Sequence, residues 1–189
     1  MSLLTRIFGK TSTKNATVTL IGPSKSGKTT LVRYLETGET VQDNINTTLG
    51  IEIRNDSSYA VDGWKLKAID VGGQQLYQQT FWELAIQQAD AVIFVIDATI
   101  KKEDNPEMYQ LSQEQFAYAL DIIPEDLPLL VLLNKQDLKD KEPMGPREAF
   151  QIFNMALFQN RTVAYLPTSA KYGDGVKEAM GWLVDKIGF

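Results

Sequence analysis

The stretch ATVTLIGPSKSGKTTLVRYLET, residues 16–37, decides the fold of this chain. It begins with ATVTLI, a short apolar run rich in β-branched residues, which predicts a buried strand over 16–21. It ends with a segment that predicts a helix near 28–37. Between them, Gly22 to Thr29 match the pattern G-x-x-x-x-G-K-[ST]. A strand, this loop and a helix in that order predict a phosphate-binding α/β domain.

The rest of the chain repeats the alternation of short apolar strands and helix-period segments. Near-continuous apolar strands such as 91–97 fit a parallel sheet covered on both faces. Residues 49–54 and 64–70 instead alternate and flank a turn-rich stretch, Asn55–Ser58 to Asp62–Gly63, which predicts an antiparallel hairpin at one sheet edge. We therefore predict an α/β fold whose six-stranded, mostly parallel sheet has helices on both faces. Its strands would be 16–21, 49–54, 64–70, 91–97, 128–133 and 163–167, with helices near 28–37, 77–88, 109–122, 145–156 and 174–187.

Composition narrows the chemistry further. With 189 residues, of which 43% are hydrophobic, the chain suits one domain. Cys and His are absent, which excludes thiol nucleophiles, imidazole bases, disulfides and zinc sites built on either residue. A net charge of −5 without a basic stripe argues against nucleic acid as a partner. The apolar runs fall short of the roughly 20 residues a membrane span needs, so we predict a cytoplasmic protein.

The loop after the first strand predicts contacts with nucleotide phosphates. Its glycines let the backbone wrap a phosphate with N–H groups pointing inward, and the helix N-terminus adds its positive end. Lys28 is predicted to reach the β- and γ-phosphates, and Thr29 to coordinate Mg²⁺. The predicted contacts of this loop are Ser24, Lys25, Ser26, Gly27, Lys28, Thr29 and Thr30.

Residues that follow the last two predicted strands point to guanine as the base. Asn134-Lys-Gln-Asp137 comes directly after PLLVLL, and an Asp there can accept both the ring N–H and the exocyclic amine of guanine. Adenine cannot offer this pair, so the pattern favours GTP over ATP. Thr168-Ser-Ala-Lys171 follows the last strand, where the backbone N–H of Ala170 can reach the guanine carbonyl. The predicted base contacts are Asn134, Lys135, Asp137, Ser169, Ala170 and Lys171.

Asp70-Val-Gly-Gly-Gln74 ends the strand 64–70 and supplies a third element. Asp70 is predicted to hold Mg²⁺ through a water, the Gly73 N–H to meet the γ-phosphate, and Gln74 to orient the attacking water. A hydroxyl for Mg²⁺ and the γ-phosphate must come from the polar loop before residue 49, where we choose Thr48 over Thr47. The predicted catalytic residues are Gln74 and Lys28, the metal ligands Thr29, Thr48 and Asp70, and the cofactors GTP or GDP with Mg²⁺.

These motifs resemble those of the Arf/Arl/Sar family of small GTPases within the Ras superfamily. The D-V-G-G-Q form at 70–74 and Gln136 within N-K-Q-D point to that family rather than to Ras or Rab. The resemblance runs from about residue 16 to the end, and it implies a P-loop NTPase G domain over 15–189. It also implies a slow GTPase that acts as a nucleotide-gated switch and recruits effectors to membranes. An exchange factor would load it, and an activating protein would turn it off.

The chain departs from the family's pattern in several places. Ser2 occupies the position of the glycine that is usually N-myristoylated in family members. Because the sequence has no Cys, palmitoylation and prenylation are not expected either. Pro23-Ser24-Lys25 replaces the Leu-Asp-Ala that is common in Arf proteins. Gly-Pro at this point resembles the MglA-like GTPases of bacteria and archaea, in keeping with a divergent or prokaryotic relative. Lys25 adds a cation near the predicted phosphate site.

Residues 1–14 form a separate N-terminal extension. Four large apolar side chains share one helical face, with basic residues beside them, which predicts a short amphipathic helix. We predict that residues 2–10 contact a membrane surface reversibly in the GTP state. The apolar residues are Leu3, Leu4, Ile7 and Phe8, and the basic ones are Arg6 and Lys10.

Two other functions fit parts of the pattern. One is a guanine-nucleotide-binding scaffold that no longer hydrolyses GTP; Thr29, Asp70 and Gln74 argue against it, and a single-turnover assay would decide. The other is a P-loop kinase, which needs an arginine-bearing lid and an acceptor site. This chain instead uses its C-terminal half for N-K-Q-D and S-A-K. Product analysis with GTP alone separates a kinase from a GTPase, because a kinase does little without an acceptor.

Overall fold

The computed structural model describes residues 14–41, 51–61, 64–71, 75–153 and 161–187; for 51–61, 64–67 and 75–79 it describes the backbone alone. The predictions for Thr48, Gly73 and Gln74, and for the extension before residue 14, lie outside the described residues.

Strands and helices alternate along the chain as the sequence predicts. None of the helices within the described ranges is both long and apolar enough to cross a membrane. The strands are β1 Lys14–Ile21, β2 Ile51–Val61, β3 Trp64–Val71, β4 Ala91–Asp97, β5 Leu129–Asn134 and β6 Val163–Pro167. The helices are α1 Lys28–Thr37, α2 Gln75–Ile86, α3 Pro106–Ile122, α4 Pro146–Ile152 and α5 Val176–Ile187, with a 3₁₀ turn at Lys139–Lys141.

The strands form one six-stranded sheet in the order β2-β3-β1-β4-β5-β6. Four of its neighbouring pairs are parallel, and β2 runs antiparallel to β3 at one edge. This confirms the predicted α/β fold. Because the carboxyl ends of parallel strands meet at the same edge of a sheet, the loops that follow β1, β3, β4, β5 and β6 come out side by side.

The hairpin differs from the sequence prediction at its first strand. We predicted that this strand ends at Arg54 before a turn-rich stretch, but β2 continues to Val61, so the turn expected at 55–58 is wrong. The register explains the difference. Ile53 pairs with Ile69, whereas Ser58 pairs with Lys67, so a bulge on β2 takes up the extra residues. Polar residues that favour turns are accommodated here without ending the strand.

Apolar side chains cover both faces of the sheet. On the face of α2 and α3, aromatic rings stack edge to face: the ring centroids of Phe94 and Phe116 lie 5.0 Å apart, as do those of Phe116 and Phe153. On the other face, Leu31 of α1 and Leu183 of α5 are fully buried against the sheet. The helices therefore hold the central strands on both sides, which fixes where each strand ends and its loop begins.

We expect Phe116→Ala to lower the free energy of unfolding by about 3–5 kcal/mol, because it leaves a cavity between two rings that the sheet cannot close. Phe116→Leu keeps most of the volume and is the control, with a clearly smaller loss. Urea denaturation of both variants measures the difference. Equal stability of the wild type and the alanine variant would contradict this description of the core.

Candidate functional site

Hydrogen bonds join the loops at the carboxyl edge of the sheet, and these loops carry most of the predicted site residues. Thr29, in the first turn of α1, bonds Asp70 near the end of β3. Asn134, at the end of β5, bonds both the loop after β1 and the loop after β6. The predicted residues that the structure describes are Ser24, Lys25, Ser26, Gly27, Lys28, Thr29, Thr30, Asp70, Asn134, Lys135, Asp137, Ser169, Ala170 and Lys171.

The loop over residues 22–27 depends on glycine at both ends. Gly22 has a φ of 131°, and a Cβ there would lie 2.3 Å from the carbonyl oxygen of Val95. Gly27 has a φ of 105°, and its Cβ would lie 2.1 Å from Asn134 Nδ2. Any side chain at either position would thus meet a strained backbone and a clash. The glycines allow the loop to lie against β4 and Asn134 while helix α1 begins directly after it.

Lys28 lies beneath this loop with its side chain almost fully buried, at 5% exposure. Its Nζ donates to the carbonyl oxygens of Gly22 and Pro23, each at 2.8 Å. Burial lowers the pKa of Lys28 to about 8, and the nearby Asp70 carboxylate opposes that shift. The first turn of α1 thus holds a buried ammonium group, and a bound phosphate would favour its charged form.

Thr29 and Asp70 place two kinds of oxygen ligand next to each other. The Thr29 hydroxyl donates to Asp70 Oδ2 at 2.6 Å, and Asp70 is fully buried. The described residues contain no group of three or more acidic side chains that could form a protein-only cation cage. Mg²⁺ commonly uses one or two protein oxygens together with phosphates and waters, so this hydroxyl–carboxylate pair fits such an ion.

A single buried amide connects three parts of the site. Asn134 Nδ2 donates to the Ser26 carbonyl oxygen at 2.8 Å, and Asn134 Oδ1 accepts from the Ala170 backbone N–H at 2.8 Å. Asn134 is 2% exposed, so both bonds are shielded from water. In this geometry Asn134 joins two loops of the site, and its own contact with the base stays a prediction. The Ala170 N–H, predicted to meet the guanine carbonyl, is held by Asn134 here, and its contact with the base stays a prediction.

The Asp137 carboxylate is held by the loop after β6. Ser169 Oγ donates to Asp137 Oδ1 at 2.7 Å, and the Tyr172 backbone N–H donates to Ser169 Oγ at 3.3 Å. The backbone of the same segment is fixed as well, since the Gln136 N–H donates to the Thr168 carbonyl at 3.1 Å. These bonds set the orientation of a half-buried carboxylate, which is what selective recognition of a base edge requires.

Sequence reasoning missed Asp97, at the end of β4. Its Oδ2 lies 2.6 Å from Lys135 Nζ, and its Oδ1 accepts from the backbone N–H and the hydroxyl of Thr99. The carboxylate therefore orients Lys135, whose φ of 69° is unusual for a residue other than glycine. A signal was present: the apolar run AVIFVI ends on this acid, at the sheet edge where the other site residues lie.

The side chain of Ser26 also indicates that the loop binds a ligand. Its Oγ is buried and has no hydrogen-bond partner within the described part of the chain. Buried hydroxyls in proteins nearly always have a partner, so this atom points to a polar group that binds at the loop.

Comparisons with known proteins agree on one family. A family model described as the ADP-ribosylation factor family matches residues 1–187. ADP-ribosylation factor-like protein 3 of Chlamydomonas reinhardtii is 31% identical over 191 residues, covering 99% of both chains. ADP-ribosylation factor-like protein 1 of Saccharomyces cerevisiae is 28% identical over 186 residues, covering 98% of this chain and 94% of the relative.

A solved structure has the same fold. The Arl6 small GTPase of Trypanosoma brucei, with the nucleotide analogue GppNp bound, aligns with a TM-score of 0.75 at 22% identity. The alignment covers 93% of this chain and 98% of that one.

We expect Asn134→Ala to weaken the binding of GDP by about 10- to 100-fold, because it leaves the buried Ser26 carbonyl and Ala170 N–H without their partner. Isothermal titration with GDP measures the change. Asn15→Ala is the matched control: Asn15 is exposed near the start of β1, at the opposite edge of the sheet, so its loss should leave affinity alone. Unchanged affinity in Asn134→Ala would contradict the role given to this amide.

Proposed function

The chain belongs to the ADP-ribosylation factor family of small GTPases, and from this premise we propose that its sheet-edge site is a Mg²⁺-dependent guanine-nucleotide switch. Members of this family bind guanine nucleotide and hydrolyse GTP to GDP. The GTP state would recruit effectors at a membrane surface, an exchange factor would load it, and an activating protein would return it to the GDP state.

The observation that carries this proposal is the fixed carboxylate of Asp137. Its bond from Ser169 leaves the group oriented by the protein before any base arrives. A preorganised carboxylate can accept the ring N–H and the exocyclic amine of guanine together, whereas adenine presents an acceptor where guanine presents that ring N–H. Lys135, held by Asp97, would lie along the base and ribose, with Ser169, Ala170 and Lys171 completing the pocket.

The phosphates would lie over the loop 22–27 and the first turn of α1. Lys28 would contribute its buried ammonium to the β- and γ-phosphates, and the surrounding backbone N–H groups would add further donors. Thr29 and Asp70, with Thr48, would hold Mg²⁺. When bound, the ion neutralises charge that develops on the β- and γ-phosphate oxygens.

Hydrolysis would proceed by attack of water on the γ-phosphorus, with Gln74 orienting the water and Gly73 donating its N–H to the γ-phosphate. Catalysis of this kind depends on positioning and charge stabilisation rather than on covalent chemistry. No motif places an arginine at the phosphates: Arg33 belongs to α1 and Arg54 to β2. Intrinsic turnover should therefore be slow, and an arginine from an activating protein could raise it by about 10³- to 10⁵-fold.

Membrane contact would come from residues 2–10. Burying four large apolar side chains in the lipid interface yields on the order of 6 kcal/mol before ordering costs, and each adjacent Lys or Arg adds about 1 kcal/mol on an anionic surface. Because the predicted contact depends on one short amphipathic segment and a few basic residues, it should be reversible and sensitive to salt.

We expect Asp137→Asn to weaken GDP binding by at least about 100-fold and to favour xanthosine diphosphate, whose extra carbonyl accepts from the new amide. Competition of both nucleotides against a fluorescent analogue measures the switch in preference. Asp126→Asn removes the same charge at an exposed position before β5, at the opposite edge of the sheet, and should change neither affinity. If Asp137→Asn binds GDP as the wild type does, the base-reading role belongs elsewhere.

We expect the chain to float with anionic vesicles when loaded with a GTP analogue and to float less with GDP. Removing residues 1–12 should abolish flotation in both states, because the predicted amphipathic face is lost. High salt should weaken the binding of the intact chain. Equal flotation in both nucleotide states would contradict nucleotide gating, and no flotation of the intact GTP form would contradict the anchor itself.

A further inference from the structure

The ring of Tyr34, on α1, lies directly against Gly173 in the loop after β6. Gly173 has a φ of 89°, and a Cβ built there would lie 1.9 Å from both Cζ and Oη of Tyr34. The contact is therefore possible only with glycine at this position. Tyr34 itself is half-buried and packs against the apolar cluster beneath α1 and α5, which holds its ring in place.

The same loop has a second link to the segment that follows α1. The Val41 backbone N–H donates to the Lys171 carbonyl oxygen at 2.9 Å, and Val41 is buried. The turn after the helix is closed by Gly38, whose N–H donates to the Tyr34 carbonyl at 2.7 Å. Tyr34 of α1 and Val41 are thus both attached to the loop 169–175.

On its inner side this loop holds the carboxylate assigned to guanine. The Gly173 N–H donates to the Ser169 carbonyl oxygen at 2.7 Å, and the Ser169 N–H donates to the Asp174 carbonyl at 2.9 Å. Ser169 in turn donates its hydroxyl to Asp137 at 2.7 Å. Short contacts therefore connect the Tyr34 ring to Asp137 through Gly173 and Ser169.

We propose that Tyr34 is a positioning residue for base selectivity, which acts by holding the loop 169–175 so that Ser169 fixes the Asp137 carboxylate. The inference rests on the proposed role of Asp137.

Two affinities distinguish a positioning role from simple packing: that for GDP and that for inosine diphosphate (IDP), which lacks the exocyclic amine of guanine. If Tyr34 keeps Asp137 oriented, Tyr34→Ala should speed GDP dissociation by about tenfold and lower the GDP-to-IDP affinity ratio severalfold, because a misplaced carboxylate loses two contacts with guanine and only one with the base of IDP. A purely structural role would weaken both nucleotides equally. Tyr34→Phe keeps the ring and is the control; the Tyr34 hydroxyl makes no hydrogen bond within the described residues, so this variant should match the wild type.

A double-mutant cycle tests whether the effect passes through Gly173. Gly173→Ala in the wild type meets both the Tyr34 ring and an unfavourable φ, whereas in Tyr34→Ala only the φ remains. We therefore expect Gly173→Ala to speed GDP dissociation clearly less in the Tyr34→Ala background than in the wild type. Where Tyr34→Ala fails to fold, as judged by thermal melting, Tyr34→Leu replaces it, since it keeps apolar bulk without a flat ring.

Additive effects of the two substitutions, or an unchanged GDP-to-IDP ratio in Tyr34→Ala, would overturn the proposal. Equal affinity of the wild type for GDP and IDP would instead overturn the assignment of Asp137, and the Tyr34 proposal with it. The two failures are thus distinguishable in one set of titrations.

Discussion

The site depends on one buried side chain, the amide of Asn134. Its donor and its acceptor are both used, one by the loop after β1 and the other by the loop after β6. Neither bond competes with water, and losing either one would leave a buried backbone group without a partner. Asn134 can make both because it ends β5, whose six residues are all buried between the helical layers. Packing of the sheet therefore sets the positions of the two loops that Asn134 joins.

Electrostatics give the site its preference for an anion. Lys28 is buried at the first residue of α1, where carbonyl oxygens rather than a paired carboxylate accept from its ammonium. Burial disfavours its charged form, which is why the pKa falls to about 8. A phosphate that binds above the helix N-terminus restores a favourable environment for the charge. The protein thus keeps a cation at some cost in its own stability, and the ligand offsets that cost.

Sequence patterns predicted the individual strands and helices and missed contacts between residues far apart in the chain. The alternation of apolar runs located the strands, and the bounds of β4, β6 and α1 match the prediction. The bulge on β2 could not be predicted, because turn-favouring residues at 55–58 look alike whether a strand ends or continues past them. The glycine-rich loop and N-K-Q-D could be recognised because the residues of each motif lie close together in the sequence, and the structure brings the two motifs together at one edge of the sheet. The pairs Asp97–Lys135 and Tyr34–Gly173 join residues far apart in the chain, so no local pattern indicated that these residues would meet, even where the end of the run 91–97 marks Asp97 itself.

Selection of a guanine nucleotide by these joined loops can be measured by titrating the intact, nucleotide-free chain with GDP and with ADP, each in the presence of Mg²⁺. We expect tight binding of GDP and an affinity for ADP weaker by at least about 10³-fold, since adenine cannot satisfy the oriented Asp137 carboxylate. ADP binding within about tenfold of GDP would contradict this selectivity, because discrimination that small is what apolar contacts alone supply.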